Sequence, residues 1–320
     1  MSRLLTAIAL STVLAGCDSS NPFDDTNDVD VEQETDVDGE ETVADDGTIF
    51  ATSLNADLTG DSFVYDDQGT ADTSDDTLRV NNIPFDNSDI SGGGYTASDV
   101  VLNNAFDVYE SDAANAGTRQ YYAVFQRATY SEVAAIGTGD YVEFGFGGAT
   151  AQRLGDENGI PAERAAFYTF TGDYAAVRVT TNAGGSDDVE YVTGDAELNV
   201  DILDFDVSGA VEGVVDNREL FDVDGNSLGS LNDFVSLATA EIDFSNGDIG
   251  SSTAIGGQFV VNDEGVAEVE TITEGQWQGF FAGPDGDEVA GFVVLEGETT
   301  ALEEPDVVRE TGVFIVTNTE

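Results

Sequence analysis

At 320 residues, with 65 acidic side chains against 9 basic ones and a formal charge of −56 at pH 7, the chain is not built to bind nucleic acid, because phosphate contacts need a basic footprint. Every basic residue is an arginine, histidine is absent and there is one cysteine, which excludes His-based general bases, Cys nucleophiles and ordinary zinc sites. Neither an enzyme nor a cofactor is therefore expected, and so many carboxylates make any acid pair uninformative as a hydrolytic site.

Residues 1–16 read as a secretion signal. Arg3 supplies the positive start, and residues 4–15 form an apolar run too short for a finished membrane-spanning helix. Leu14-Ala15-Gly16-Cys17 matches the bacterial lipobox, which puts the only cysteine where the motif demands it. Cys17 is the expected lipidation site, carrying diacylglycerol with acyl chains such as palmitate. Asp18 follows it; in some enteric bacteria an Asp there retains lipoproteins in the inner membrane, under a sorting rule that varies among bacteria. Residues 17–47 read as an acidic, disordered tether. Residues 18–46 hold thirteen acids and no base, so like charges extend a segment too polar to form a core.

Beyond the tether the pattern is strands and turns. Residues 61–66, 77–83, 106–110, 120–130 and 140–146 are candidate strands, and residues 66–76 form an acidic, Gly-containing loop. From Tyr168 onward the spacing is that of a sandwich or barrel. Ala196, Leu198, Val200 and Ile202 alternate with polar residues, then the phase slips by one at Ile202-Leu203, which marks a turn or bulge. Ala238, Ala240, Ile242 and Phe244 alternate with Thr239, Glu241 and Asp243, and residues 258–261 make a further strand.

The clearest element is a hairpin over residues 271–296. Trp277, Gly279 and Phe281 share one face, and Gly283-Pro284-Asp285-Gly286-Asp287 reverses the chain. The return strand is apolar from Val289 to Leu295, as expected when both faces are covered, and Gly279 and Gly291 leave room for a neighbouring backbone or ring. A strand over residues 311–317 closes the set. About eight strands after Tyr168 suit a closed antiparallel barrel, so the fold class is all-β.

Three stretches carry a resemblance. Trp277-Gln278-Gly279-Phe280-Phe281 with Gly283-Pro284 and Glu288-Val289-Ala290-Gly291-Phe292 is similar to the late barrel hairpin of transferrin-binding protein B-like surface lipoproteins. Tyr141-Val142-Glu143-Phe144-Gly145-Phe146-Gly147-Gly148, followed by Arg153, is similar to a Tyr-x-Asp-Phe-Gly-x-Gly-Gly stretch of the same family, with Glu143 where Asp is usual. Ile160-Pro161 and residues 166–176 resemble the start of its barrel, with two extra residues before Gly172-Asp173-Tyr174 and Ala176 in place of a glycine. The resemblance implies one lobe: a β-rich handle subdomain over residues 48–160 followed by an eight-stranded antiparallel β-barrel over residues 161–320.

It also implies a role. The expected function is a lipid-anchored binding protein of the cell envelope, at the outer membrane and surface of a Gram-negative bacterium. It would capture an extracellular protein or solute for nutrient or iron uptake, through a partner outer-membrane transporter. The alternative, from another class, is a structural or protective surface lipoprotein with no ligand. Family partner contacts come from loops at one end of handle and barrel, which here correspond to residues 81–99, 182–188 and 216–233; none carries a motif that names a partner. Transferrin itself is not expected, since one lobe and extreme acidity suggest a salt-adapted organism. With Met1 removed and no histidine, tyrosine alone could ligate haem, so haem is not expected either. No metal site stands out; Asp222, Asp224 and Asn226 crowd hard oxygen ligands and are the calcium candidates, although Ser227 stands where an EF-hand loop needs Gly.

Overall fold

Period-two alternation becomes seventeen strands in the computed structural model, which describes residues 47–86, 94–111, 117–141, 144–155, 159–161, 167–181, 187–202, 209–261, 265–298 and 307–319. The signal segment, Cys17, the tether, Glu143, residues 182–186 and the phase slip after Ile202 lie outside the described residues. The described residues all belong to one compact unit, Thr42–Glu320.

The first eight strands are β1 (Thr48–Phe50), β2 (Ser62–Asp66), β3 (Thr77–Asn81), β4 (Tyr95–Val101), β5 (Asp107–Ser111), β6 (Tyr122–Arg127), β7 (Ser131–Gly137) and β8 (Gly148–Arg153). They form one antiparallel sheet in the order β1-β8-β7-β6-β5-β4-β3-β2. One face of it is lined by Tyr95, Tyr109, Tyr121 and Phe125, and the other by Val108, Val124, Val133, Ala135 and Ala149.

The expected strand over residues 120–130 is β6, and a strand the sequence did not announce, β7, follows it. β6 ends at Arg127, the chain turns with Ala128 N–H donating to the Ser131 carbonyl, and β7 returns fully buried. Of the expected strand over residues 140–146, the described residues 140–141 and 144–146 are not in a strand. Gly145 sits at φ +60°, where a Cβ would meet the Tyr141 ring at 2.7 Å, and the ladder resumes only at Gly148. Part of the supposed loop over residues 81–99 belongs to β4.

Then come β9 (Phe167–Thr181), β10 (Asp187–Asp201), β11 (Ala210–Asp222), the short β12 (Ser227–Ser230), β13 (Asp233–Asp243), β14 (Asp248–Val261), β15 (Ala267–Ala282), β16 (Glu288–Glu298) and β17 (Val307–Asn318). The order β10-β9-β17-β16-β15-β14-β13-β11, closed by β10 pairing with β11, is an eight-stranded antiparallel barrel, and β12 is a flap on β11. Its interior is filled by side chains, among them Phe170, Leu198, Val235, Trp277, Phe281 and Phe314, as eight strands allow.

The alternation along β13 is broken once. Val235 and Leu237 point inward, Ala238 and Thr239 together face Glu212, and the inward phase resumes at Ala240 and Ile242. This bulge turns Ala238 out of the inward phase and frees its carbonyl to accept from the Trp277 indole N–H at 2.9 Å, while Phe244, past the end of β13, is exposed. The only tryptophan thus buries its ring and satisfies its donor.

The hairpin expected over residues 271–296 is β15 and β16, with Gly279 opposite Gly291 and positive φ at Gly283 and Gly286. Both faces of β16 are covered. Val289, Val293 and Leu295 fill the barrel, while Ala290, Phe292 and Val294 pack outward with Val133 and Ala149 of the first sheet. Gly291 is a close-approach position, since a Cβ there would lie 2.6 Å from the Phe314 ring.

Candidate functional site

The residues shared by the three resembling stretches converge on the seam between sheet and barrel. Glu288, at the start of β16, accepts hydrogen bonds from the backbone N–H of Thr129 (3.0 Å) and Tyr130 (3.1 Å) and from the Ser131 hydroxyl (2.7 Å). Arg153, ending β8, donates through Nε to the Phe281 carbonyl (2.8 Å) and through Nη2 to Asp248 (2.8 Å), with its guanidinium 4.3 Å above the Phe280 ring. Arg309 of β17 reaches the other way, to Glu296 (2.7 Å) and Asp57 (3.2 Å), over the ring of Phe144. Gly159 N–H donates to Gly283, and Gly286 lies so close to Pro161 that a Cβ would meet its ring at 2.6 Å. These contacts fix one orientation of sheet against barrel.

Inside the barrel a second charged group is closed off from water. Arg218, 2% exposed, donates to Glu310 (2.6 Å) and Asp233 (2.5 Å), and the Tyr174 hydroxyl donates to Glu310 (2.6 Å). Burial alone would raise the Glu310 carboxyl, but Arg218 and Arg178 outweigh it and hold it below the usual range. For Asp233 burial wins and its carboxyl is pushed up. Arg218 Nε alone of the guanidinium is buried without a partner, and the cluster is closed off from the surface.

An open groove of about 430 Å3 lies where the sheet meets the barrel mouth, and a cleft of about 460 Å3 lies on the first sheet between residues 66–79 and 94–96. Gln120, Tyr122, Gly139 and Asp140 line the groove from the sheet; Asp188, Val189, Glu190, Asp222, Val223 and Leu228 line it from the barrel. The Tyr122 phenol is held protonated, first by burial and then by the charges of Glu110, Asp140 and Asp224. Glu190 is also pushed up by burial, partly opposed by Arg178.

Of the three expected partner loops, residues 216–233 contribute Asp222, Val223 and Leu228, and Asp188 ends the second. The described residues 81–86 and 94–99 do not line this groove, although Val100 just beyond them lies against the turn at Gly225. The sheet side had no signal in the sequence, since Gln120, Tyr122 and Asp140 read there as ordinary strand residues.

The calcium candidates sit in the turn between β11 and β12. Asp222 Oδ1 accepts from the backbone N–H of Asp224 (3.0 Å) and Asn226 (2.8 Å), and the Asn226 amide donates to the same carboxylate at 2.9 Å. These bonds hold Asp222 below the usual carboxylate range, with the Asn226 side chain the largest cause. Its oxygens are thus spent on the turn, and among the described residues no three His, Cys, Asp or Glu gather as metal ligands. The acids of residues 66–76 are used similarly: Asp66, Asp67 and Asp72 accept from N–H groups two residues on.

No family model matches the chain, and no curated protein does. Among solved structures it is similar to a transferrin-binding protein B mutant from Haemophilus parasuis, at 14% identity and TM-score 0.33, over 69% of this chain and 38% of that one. It is similar also to an intact transferrin-binding protein B with N and C lobes (14%, TM-score 0.32, 70% and 42%) and to a protein described as a surface lipoprotein (13%, TM-score 0.32, 68% and 81%). The chain thus spans about two fifths of the first of these structures. They are proteins of the kind its three sequence stretches resemble.

Proposed function

We propose that this chain is a non-enzymatic, lipid-anchored binding protein of the cell envelope that captures an external protein or solute at the sheet–barrel groove. Residues 1–16 serve as the signal, Cys17 carries the lipid, residues 17–47 hold the folded part away from the membrane, and residues 48–160 and 161–320 act as handle and barrel. The protein faces outward from the outer membrane and delivers its ligand to a transporter there, for nutrient or iron uptake.

The observation that carries this reading is the groove itself. Two β units locked by Glu288, Arg153 and Arg309 leave a concave surface between them, with Tyr122 and Leu228 as apolar walls and Asp140, Asp188, Glu190 and Asp222 around them. A rigid frame lowers the ordering cost of capture, and the complement of such a lining is a positively charged ligand surface.

Titrating the 18–320 form against spent growth medium, iron carriers and calcium tests it. Saturable binding is expected, weakened at least about tenfold, roughly 1.4 kcal/mol, by Tyr122→Ala with Leu228→Asp. No saturable binding hands the protein to the structural-coat alternative. Protease applied to intact cells should remove it while a periplasmic control survives; survival until permeabilisation would place it inside.

A further inference from the structure

A second surface lies at the far end of the β14–β15 pair. The first sheet covers the outer sides of β9, β17, β16 and the Phe280–Ala282 end of β15, and leaves the other end of β15 bare. β13 begins at Asp233, opposite Gln258, so the ladder of residues 259–261 with 267–269 runs past the ends of the neighbouring described strands as a two-stranded ribbon. On its outer side Phe259 faces Val269 and Val261 faces Ala267. Phe259 and Val261 are each 72% exposed and Val269 is 53% exposed. The Phe234 ring, 5.1 Å from that of Phe259, carries the patch onto the barrel wall. The reverse side is polar, with the Gln258 amide donating to Glu270 at 3.0 Å and Glu268 beside it.

A two-stranded ribbon with a bare apolar side is marginal in water, and contiguous exposed apolar clusters mark contacts. Charge selects the occupant. No basic residue occurs between Arg218 and Arg309 in a chain of formal charge −56, and Glu268 and Glu270 stand on the ribbon itself. A second copy or an anionic bilayer would bring like charge to this rim, whereas a basic rim would be drawn in. We infer that the ribbon is a docking surface for a partner protein presenting an apolar patch ringed by lysine and arginine. This surface is separate from the groove, and its test stands apart from ligand capture.

The full chain is titrated with a synthetic strand peptide of alternating valine and lysine and with a serine–lysine peptide of equal charge. The valine–lysine peptide should bind at least about tenfold more tightly. Phe259→Ser with Val269→Ser should abolish that preference while leaving the groove titration unchanged. Equal binding of the two peptides, or a preference that survives the double substitution, overturns the proposal. Sedimentation should show a monomer; a dimer that the same double substitution dissolves would assign the patch to a second copy and overturn it as well.

Discussion

The two halves of β15 show what covering does to a strand. From Trp277 to Ala282 every second side chain enters the barrel and the others pack against the first sheet, so five of the six residues are buried. From Ala267 to Thr271, in the same strand and the same ladder with β14, all five residues are exposed. Hydrogen bonding to β14 continues through both halves, so the ladder alone does not set local stability. The difference is apolar area removed from water, about 25 cal/mol per Å2.

Breaking the covered half should cost most. Trp277→Ala removes the largest core side chain and strands the Ala238 carbonyl; the expected loss is about 3–5 kcal/mol, read as a lower midpoint in denaturant unfolding. Next comes the seam. Glu288→Ala leaves the Thr129 and Tyr130 N–H groups without their acceptor, at roughly 1–3 kcal/mol, and hydrogen exchange at those two amides should accelerate.

A smaller effect, of opposite sign, is expected at Glu132 in β7, where burial pushes the carboxyl up against a partial offset from Arg127. A raised folded-state pKa means the folded form holds the proton more tightly. The stabilising contribution is therefore complete below the ordinary carboxylate pKa and lost as pH rises through the raised value. Glu132→Gln should raise the thermal midpoint at pH 7, and that gain should vanish in acid, where wild type is protonated in both states. The smallest effect belongs to the bare half. Val269→Ser should change unfolding stability by no more than about 0.5 kcal/mol, and a larger loss would show that the ribbon's outer side is covered within the monomer.

The covered hairpin was legible because its signals agree: alternation before the turn, an apolar run after it, and Gly-Pro-Asp-Gly between. The sheet was read less well. Residues 140–146 have the aromatic content of a strand, yet Gly145 at positive φ folds them back so that Phe144 can lie under Arg309, and no local pattern announces a partner 165 positions away. The break at residues 128–130 was missed because no Gly, Pro or Asn marks it; Glu288 holds that turn from 158 positions beyond Tyr130 in the chain. The groove joins residues around 120–140 to others around 188–228, and in so acidic a chain its carboxylates carry no signal. One clue was available: arginine is scarce, and Arg153, Arg218 and Arg309 all proved to be buried ties.

The last strand sets a constraint on how the protein is made. β17 pairs along its length with both β16 and β9, the first barrel strand, so the ring has no wall there until residues 307–318 are in place. A chain emerging from its N-terminus therefore carries one unpaired edge from the time β9 is made, and a second from the time β16 is made, until β17 follows. The outward sides of both strands later sit beneath the first sheet. A nascent chain stalled just short of β17 is thus the form most in need of a holding chaperone, and the arrival of residues 307–318 ends that need.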